Sequence, residues 1–196
     1  MLYIIGLGNT GDRYEHTRHN TGFMVVETLR NIWSFDEWQF DSVTETFFSK
    51  GEILDKEVCL FKPNTFMNNS GNSVLKLKKR GIEPEKTIII HDEVDLPLGL
   101  VKIVYSRGSG GHRGVDSVIN AFKTKDFFRF RVGISPISES GTIKKPQGKE
   151  EFHRFILSKF TNSEREIVNS VALRSSEYIK TFVTKGSERA ISSCKG

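Results

Sequence analysis

The stretch MLYIIGLGNTGDRYEHTRHNTGF, residues 1–23, contains the pattern that decides the fold. Its first apolar segment, Leu2–Gly8, predicts a β-strand, because Tyr and Ile favour strands and a glycine-rich turn ends the run. Asn9 lies in that turn, and His19 follows ten residues later in a polar segment. A buried strand that leads into such a loop indicates a site at the carboxyl end of a sheet, where α/β proteins bind their ligands.

The turn GLGNTG, residues 6–11, also has the glycine spacing of a dinucleotide-binding fingerprint. That fingerprint requires a helix to begin at its glycines, so that backbone N–H groups meet the pyrophosphate. Asp12–Asn20 is polar and lacks an apolar stripe of helical period, and the first convincing helix, about Gly22–Ile32, begins only after it. A nucleotide-dependent oxidoreductase is therefore disfavoured, and the glycines alone are better explained as a structural tight turn.

The composition predicts a soluble globular protein of one domain, because 37% of the 196 residues are hydrophobic and 27% are charged. The net charge of +5, from 29 basic and 24 acidic residues, permits an anionic partner such as nucleic acid without requiring one. We expect no membrane association, because no segment has the length of a membrane span and the N-terminus lacks a signal-peptide pattern. Cys59 and Cys194 have no metal-ligand spacing, so a reduced cytoplasmic setting is expected.

The remaining apolar runs predict an α/β fold: a twisted, mixed, mostly parallel sheet with helices on both faces. Long connections suit helical crossovers between parallel strands, whereas the short link between 93 and 101 suits an antiparallel strand. We expect a half-exposed strand at 127–134, a mobile loop or lid at 135–149, and a capping box at Ser163 and Glu166. One domain should cover 1–185, followed by a flexible tail at 186–196. The other predicted strands are 44–53, 57–62, 87–90 and 101–105, and the later helices are 66–80, 115–122, 150–157 and 161–185.

Several loops follow the carboxyl ends of these strands and can share one cleft. A histidine with a carboxylate partner can take a proton from water, and asparagine amides can donate to a developing oxyanion, so His19 with Asp92 is a candidate pair. No Ser or Cys lies in a nucleophile motif, which favours water as the nucleophile. A metal site using His16, His19 and His91 is an alternative without a recognised ligand spacing. The polar side chains of these loops are Asn9, His19, Asn68, Asn69, His91, Asp92, Glu93 and Asp95.

Five longer motifs carry a family resemblance that covers about residues 1–185. In order along the chain they are Gly6–Gly11 continued by Tyr14–Gly22, Lys62–Gly71, His91–Gly99, Gly110–Gly114 and Phe155–Phe160. Their residues, order and spacing resemble bacterial-type peptidyl-tRNA hydrolases. Long motifs in a fixed order are far more specific than the glycine spacing alone.

The resemblance implies an enzyme that cleaves the ester between a peptide and tRNA, recycling tRNA that leaves the ribosome prematurely. It implies that His19 is the general base for water and Asp92 its orienting partner. It further implies one α/β domain, usually monomeric, that is active in the cytoplasm without metal or cofactor and has peptidyl-tRNA as its partner. The implied substrate-binding residues are Asn9, Tyr14, Met67, Asn68 and Arg113, and the implied tRNA phosphate-binding residues are Lys102 and Arg131.

Three positions depart from the family pattern. Thr10 replaces a usual proline, which stiffens the turn less but leaves Asn9 in place. Arg113 replaces a usual asparagine near the catalytic centre, and Val104 stands where some relatives carry a second phosphate-binding lysine. The last two changes affect the expected substrate site and weaken the expected tRNA phosphate clamp.

A non-catalytic RNA-binding relative that kept the fold is the main alternative. Asn9, His19, Asn68 and Asp92 are all present. A binding module has no need of these four residues together, so their combination favours the enzyme.

Overall fold

Seven strands form one mixed sheet in the computed structural model, which describes residues 1–194. The order across the sheet is β2-β3-β4-β1-β5-β7-β6. Strands β4, β1, β5 and β7 run parallel, whereas β3 pairs antiparallel with β4 and β6 pairs antiparallel with β7. The strands are β1 (Leu2–Gly6), β2 (Gln39–Asp41), β3 (Thr46–Ile53), β4 (Lys56–Pro63), β5 (Thr87–Pro97), β6 (Val101–Tyr105) and β7 (Phe128–Ser135).

Helices cover both faces of this sheet, as the sequence predicts. One buried cluster joins α1 and α5 to the sheet through Val26, Val171 and Ile90. A second cluster joins α2 and α3 to the opposite face, with Ile89 among its members. The α-helices are α1 (Thr21–Trp33), α2 (Ser70–Lys79), α3 (Arg113–Phe122), α4 (Gly148–Ile156), α5 (Asn162–Lys185) and α6 (Ser187–Ser193). None of these helices combines the length and apolar character that crossing a bilayer requires.

The polar motif that begins at residue 91 belongs to a strand. The sequence predicts that the strand ends at 90, but β5 continues to Pro97 because it pairs with β7 through Glu93 and again at Pro97. Tertiary pairing therefore overrides the weak strand preference of these acidic residues. Asp92 consequently sits on a fixed strand instead of a loop.

Strand β7 is largely buried, so the prediction of a half-exposed strand is wrong. Arg129, expected to point to solvent, is only 3% exposed. Its Nη2 donates to the carbonyl oxygen of Gly108 at 2.8 Å, so the loop before α3 covers this part of the strand. The alternation of Phe and Arg in the sequence gives no indication of that cover.

The C-terminal region differs from the prediction in two further ways. Thr161 and Glu164 form the capping box of α5, where Ser163 and Glu166 were expected; the Thr161 hydroxyl accepts from the Glu164 backbone at 3.2 Å. The expected tail contains helix α6, because Ala190 buries itself in the α1–α5 cluster and Cys194 Sγ contacts the carbonyl oxygen of Val101. The last two residues of the expected tail lie outside the described part of the chain.

Close backbone packing joins α1 to the strands that carry the site. Gly22 lies so near β5 that a Cβ atom would fall 2.3 Å from the carbonyl oxygen of Ile90 and 2.4 Å from the nitrogen of Leu7. Only glycine permits this approach. It places the segment before α1, which contains His19, directly against the carboxyl ends of β1 and β5.

A partly buried ion pair holds this segment to helix α5. Arg18 donates to both carboxylate oxygens of Glu164 at 2.8 and 3.0 Å and to the carbonyl oxygen of Ile134 at 3.2 Å. Its guanidinium also lies 4.8 Å from the ring of Phe155 and 4.7 Å from that of Phe160. Because charge, hydrogen bonds and stacking converge on one side chain, Arg18 fixes the turn that it shares with His19.

We predict that Glu164→Gln lowers the free energy of unfolding by about 3 kcal/mol, because it leaves the buried Arg18 without its ion pair. The matched control is Glu177→Gln, whose carboxylate pairs with Lys180 at 2.9 Å on the exposed face of α5. That change is expected to cost less than about 1 kcal/mol. Urea unfolding of the two variants measures the difference, and equal losses would contradict the role of Arg18.

Candidate active site

His19 lies in a three-residue 3-10 turn, Arg18–Asn20, that joins the first loop to α1. The next residue, Asn20, ties this turn to the end of β1: its Oδ1 accepts from the backbone nitrogen of Asn9 at 2.8 Å, and its Nδ2 donates to the carbonyl oxygen of Asn9 at 2.9 Å. His19 is therefore flanked by two anchored neighbours. The whole residue is 9% exposed, so the backbone and the packing restrict its position.

A buried carboxylate faces this imidazole. His19 Nδ1 lies 3.0 Å from both Oδ1 and Oδ2 of Asp92, and Asp92 is only 4% exposed. His112 Nε2 lies 2.9 Å from Oδ1 of the same carboxylate. The structure thus brings the predicted pair together and adds a second histidine.

The hydrogen bonds assign the tautomers of both histidines. An ionised carboxylate only accepts hydrogen bonds, so Nδ1 of His19 and Nε2 of His112 carry the protons that contact Asp92. His112 also caps α3, because its Nδ1 accepts from the backbone nitrogen of Val115 at 3.2 Å. Neutral His19 therefore has its lone pair on Nε2, the nitrogen that a base needs.

Burial and charge act in opposite directions on these groups. Burial lowers the pKa of His19, but attraction to Asp92 and the hydrogen bond between them outweigh it, so the pKa is raised above 6.5; Arg113 works in the lowering direction. Burial alone raises the pKa of Asp92, but His19 and His112 outweigh it and hold that pKa well below its usual range. Asp92 therefore stays ionised and favours a protonated His19.

His91, the residue before Asp92, packs against the pair inside the protein. It is fully buried, its Nδ1 donates to the carbonyl oxygen of Asp92 at 2.7 Å, and its ring lies 4.6 Å from that of His112. Burial, followed by the proximity of His112 and Arg129, lowers its pKa well below the usual value. His91 is therefore a neutral structural residue and not a member of the reacting pair.

Asn9 joins three loops at the wall of the site. Besides its backbone contacts to Asn20, its Oδ1 accepts from the backbone nitrogen of Met67 at 2.9 Å. This leaves the Nδ2 protons of Asn9 available to a ligand. Met67 is almost completely buried, whereas Asn68 is exposed and contacts Asn69 through its amide.

These side chains line a cavity of about 690 Å³ beside His19. The loop before α3 forms part of the cavity wall. Strand β6 runs antiparallel and leads away from the carboxyl edge, but residues 106–112 run back past Arg129 and return His112 to Asp92. The predicted site residues on the cavity wall are Asn9, Tyr14, His19, Met67, Asn68, Asp92 and Arg113, joined by Phe152 and His153 of α4 and others.

The two predicted phosphate-binding residues lie in a separate pocket of about 440 Å³. Lys102 is directly opposite Arg131 in the β6–β7 ladder, and Arg131 Nε donates to Glu93 at 2.8 Å. The sequence did not single out Arg107 and Arg129, which line the same pocket. Glu93 and Gly110 line both pockets, so the basic pocket adjoins the main cavity.

Other sequence candidates lie elsewhere. His16 is exposed and Asp95 pairs with Lys145, so neither contributes to the His19–Asp92 cluster. Among residues 1–194, the group with ligand atoms within 4.8 Å of one another is His19, Asp92 and His112, not the three histidines considered as metal ligands. In this group, the two histidine nitrogens that face Asp92 act as N–H donors to its carboxylate. His112 was missed as a partner of Asp92, although the Gly110–Gly114 motif contains it.

Comparison with known proteins finds relatives that match nearly the whole chain. A family model described as Peptidyl-tRNA hydrolase matches residues 3–196. A peptidyl-tRNA hydrolase from Sulfurihydrogenibium sp. is 37% identical over 97% of this chain and 95% of its own length, and one from Aquifex aeolicus is 36% identical over 97% and 94%. The crystal structure of peptidyl-tRNA hydrolase from Acinetobacter baumannii is similar with a TM-score of 0.88, at 30% identity over 99% of this chain and 94% of that one.

We predict that Asp92→Asn lowers the pKa of His19. The carboxylate supplies the influences that raise this pKa, whereas burial and Arg113 remain and both lower it. The midpoint should therefore move from above 6.5 to below that value. NMR titration of the His19 ring protons in both proteins measures the shift. An unchanged midpoint would show that Asp92 does not control His19.

Proposed function

This chain belongs to the peptidyl-tRNA hydrolase family and cleaves the ester bond between a peptide and tRNA; we propose that His19 activates the water molecule that attacks this ester. One observation carries the proposal: the Asp92 carboxylate contacts Nδ1 of His19, which leaves Nε2 for a ligand in the adjoining cavity. Within residues 1–194, Nε2 has no hydrogen-bond partner that would block this role.

In the first step, Nε2 removes a proton from water as the oxygen attacks the ester carbonyl carbon. The imidazolium that forms is stabilised by Asp92, which stays ionised because two histidines donate to it. In the second step, the tetrahedral intermediate expels the ribose oxygen, which takes the proton back from Nε2. The products are a free peptide carboxyl group and a tRNA with its terminal hydroxyl, and His19 returns to its neutral form.

Two asparagines support the carbonyl in this proposal. The Oδ1 atom of Asn9 accepts from the backbone nitrogen of Met67, which fixes the orientation of this amide. Its Nδ2 group can therefore donate to a ligand. Asn68 is exposed and lines the same cavity. Preorganised donors of this kind stabilise an oxyanion more than they stabilise the ground-state carbonyl. Tyr14 and Met67 then complete the substrate wall.

The proposed chemistry uses only side chains of this chain. His19 supplies the base, Asp92 holds it, and amide groups face the oxyanion, so we propose an enzyme that needs no metal or cofactor. The family resemblance described above also leads us to propose that it acts in the cytoplasm as a monomer.

We propose that the basic pocket binds the phosphate at the 5′ end of the tRNA. Lys102 and Arg131 are directly opposite on neighbouring strands, where two like charges destabilise a sheet unless an anion lies between them. Glu93 already neutralises part of the charge of Arg131. The exposed Lys102 is therefore the freer cation, and Arg107 and Arg129 add charge that Val104 does not provide.

We predict that His19→Ala lowers kcat by about a hundred- to ten-thousand-fold, the usual contribution of general acid–base catalysis. The control is His16→Asn, in the same segment; asparagine is chosen because His16 has a φ of 60°. The control should hydrolyse peptidyl-tRNA at the rate of the unchanged protein. Circular dichroism checks that both variants are folded. A folded His19→Ala protein with near-normal turnover would rule out the proposed base.

We predict that Lys102→Ala raises KM for tRNA substrates by about threefold to tenfold while changing kcat little, because a partly exposed phosphate contact contributes uniform binding. The effect should disappear when the substrate lacks its 5′-phosphate. Lys50→Ala, at an exposed position of β3, is the control and should leave KM unchanged for both substrates. An equal KM for wild type and Lys102→Ala on phosphorylated tRNA would contradict the phosphate site.

A further inference from the structure

We propose that Arg113 makes this enzyme prefer peptides with a carboxylate side chain next to the esterified residue. The inference rests on the proposed function, because it concerns the substrate in the His19 cavity. It begins from the position of Arg113, the first residue of α3 and the direct neighbour of His112, which contacts Asp92. The Arg113 side chain therefore starts one residue from a direct hydrogen-bond partner of the catalytic pair.

Arg113 stands at the junction of two cavities. It lines the main cavity beside His19 and also a groove of about 370 Å³ between α2 and α3. Asn68 is the other residue that lines both. A chain that leaves the main cavity into this groove must pass between Arg113 and Asn68. The groove is lined in part by Leu75 and Ala121, and it also has amide and hydroxyl groups from Asn72, Asn120 and Ser117 that can bind a peptide backbone.

The proposed position of tRNA indicates which part of the substrate passes there. The basic pocket with Lys102 and Arg131 adjoins the main cavity through Glu93 and Gly110, neither of which lines the groove. If the tRNA phosphate occupies the basic pocket and the ester lies at His19, the peptide leaves from a different part of the cavity. The groove between Arg113 and Asn68 is such an exit.

Charge makes Arg113 available to an anion. Within the described chain no carboxylate lies within ion-pair distance of Arg113, whereas Asp92 and Glu93, the acidic residues on the cavity wall, are each engaged by other side chains. Asp116 lies in the groove one turn further along α3 and opposes an anion there. A carboxylate is therefore favoured at the junction itself and not deep in the groove.

The charge of Arg113 reaches the catalytic pair. Its positive charge is among the influences that lower the pKa of His19, so it acts across the cavity. A guanidinium binds a carboxylate through two parallel charge-assisted hydrogen bonds, and an amide cannot accept them equally well. Because Arg113 is exposed, we expect a preference of about twofold to fivefold for a glutamate over a glutamine at this position.

The test uses two substrates that differ in one group. N-acetyl-Glu-Phe-tRNA and N-acetyl-Gln-Phe-tRNA share the same tRNA and the same esterified residue, so their kcat/KM ratio reports only the side chain. We expect a ratio of about two to five for the unchanged protein, a ratio near one for Arg113→Gln, and an intermediate ratio for Arg113→Lys, which keeps the charge without the planar fork. Arg13→Gln is the matched control, since Arg13 also lines the main cavity without an ion pair in residues 1–194. It should retain the ratio.

The outcomes separate this inference from the proposed function. Equal rates for the two substrates in the unchanged protein would overturn it. A loss in Arg113→Gln that is equal for both substrates would also overturn it, because Arg113 would then bind a phosphate of the shared tRNA end. The same loss of ratio in Arg13→Gln would overturn it by showing a diffuse effect of cavity charge. Failure of the unchanged protein to cleave either substrate would instead contradict the function itself.

Discussion

The site depends on one buried carboxylate. Asp92 is 4% exposed, and an ionised group so far from water is tolerated only when it is paired and hydrogen-bonded. Its partners, His19 and His112, come from segments before and after it in the chain, and each has its position fixed by further bonds. The hydrogen bonds to this charge therefore hold the first loop and the start of α3 together beside β5. The same contacts select the tautomer that leaves Nε2 of His19 able to accept a proton.

Much of the fold could be predicted, because the apolar periodicity of the sequence directly reflects the sheet and its helices. The parallel arrangement, the hairpin between β3 and β4 and the long C-terminal helix all follow from run lengths and connections. Features that depend on distant pairing could not be predicted. Strand β5 extends through acidic residues because β7 lies beside it, and Arg129 is buried because Gly108 covers it. Helix α6 is likewise stabilised by the packing of Ala190 in an apolar cluster.

The site also contains some residues that the sequence could predict and others that it could not. His19 and Asp92 are 73 residues apart, yet each follows a predicted strand at the same sheet edge, so their pairing could be expected. The role of His112 could not, because its motif follows an antiparallel strand that leads away from that edge and only the returning loop brings it back. Arg107 and Arg129 were missed for a similar reason, since an arginine on a strand or loop has no sequence pattern that distinguishes binding from exposure. The sequence identifies Arg113 as a departure from the family pattern. The structure adds that its side chain lines two adjoining cavities.

The central claim is that neutral His19, held by Asp92, is the base in peptidyl-tRNA hydrolysis. Its most direct test is the pH dependence of kcat/KM for the unchanged enzyme, measured beside the titration of the His19 ring by NMR. Because Asp92 raises the pKa of His19 and the base must be unprotonated, the rate should increase with pH through a midpoint above 6.5 that coincides with the His19 midpoint. A rate that stays constant while His19 gains and loses its proton would contradict the claim.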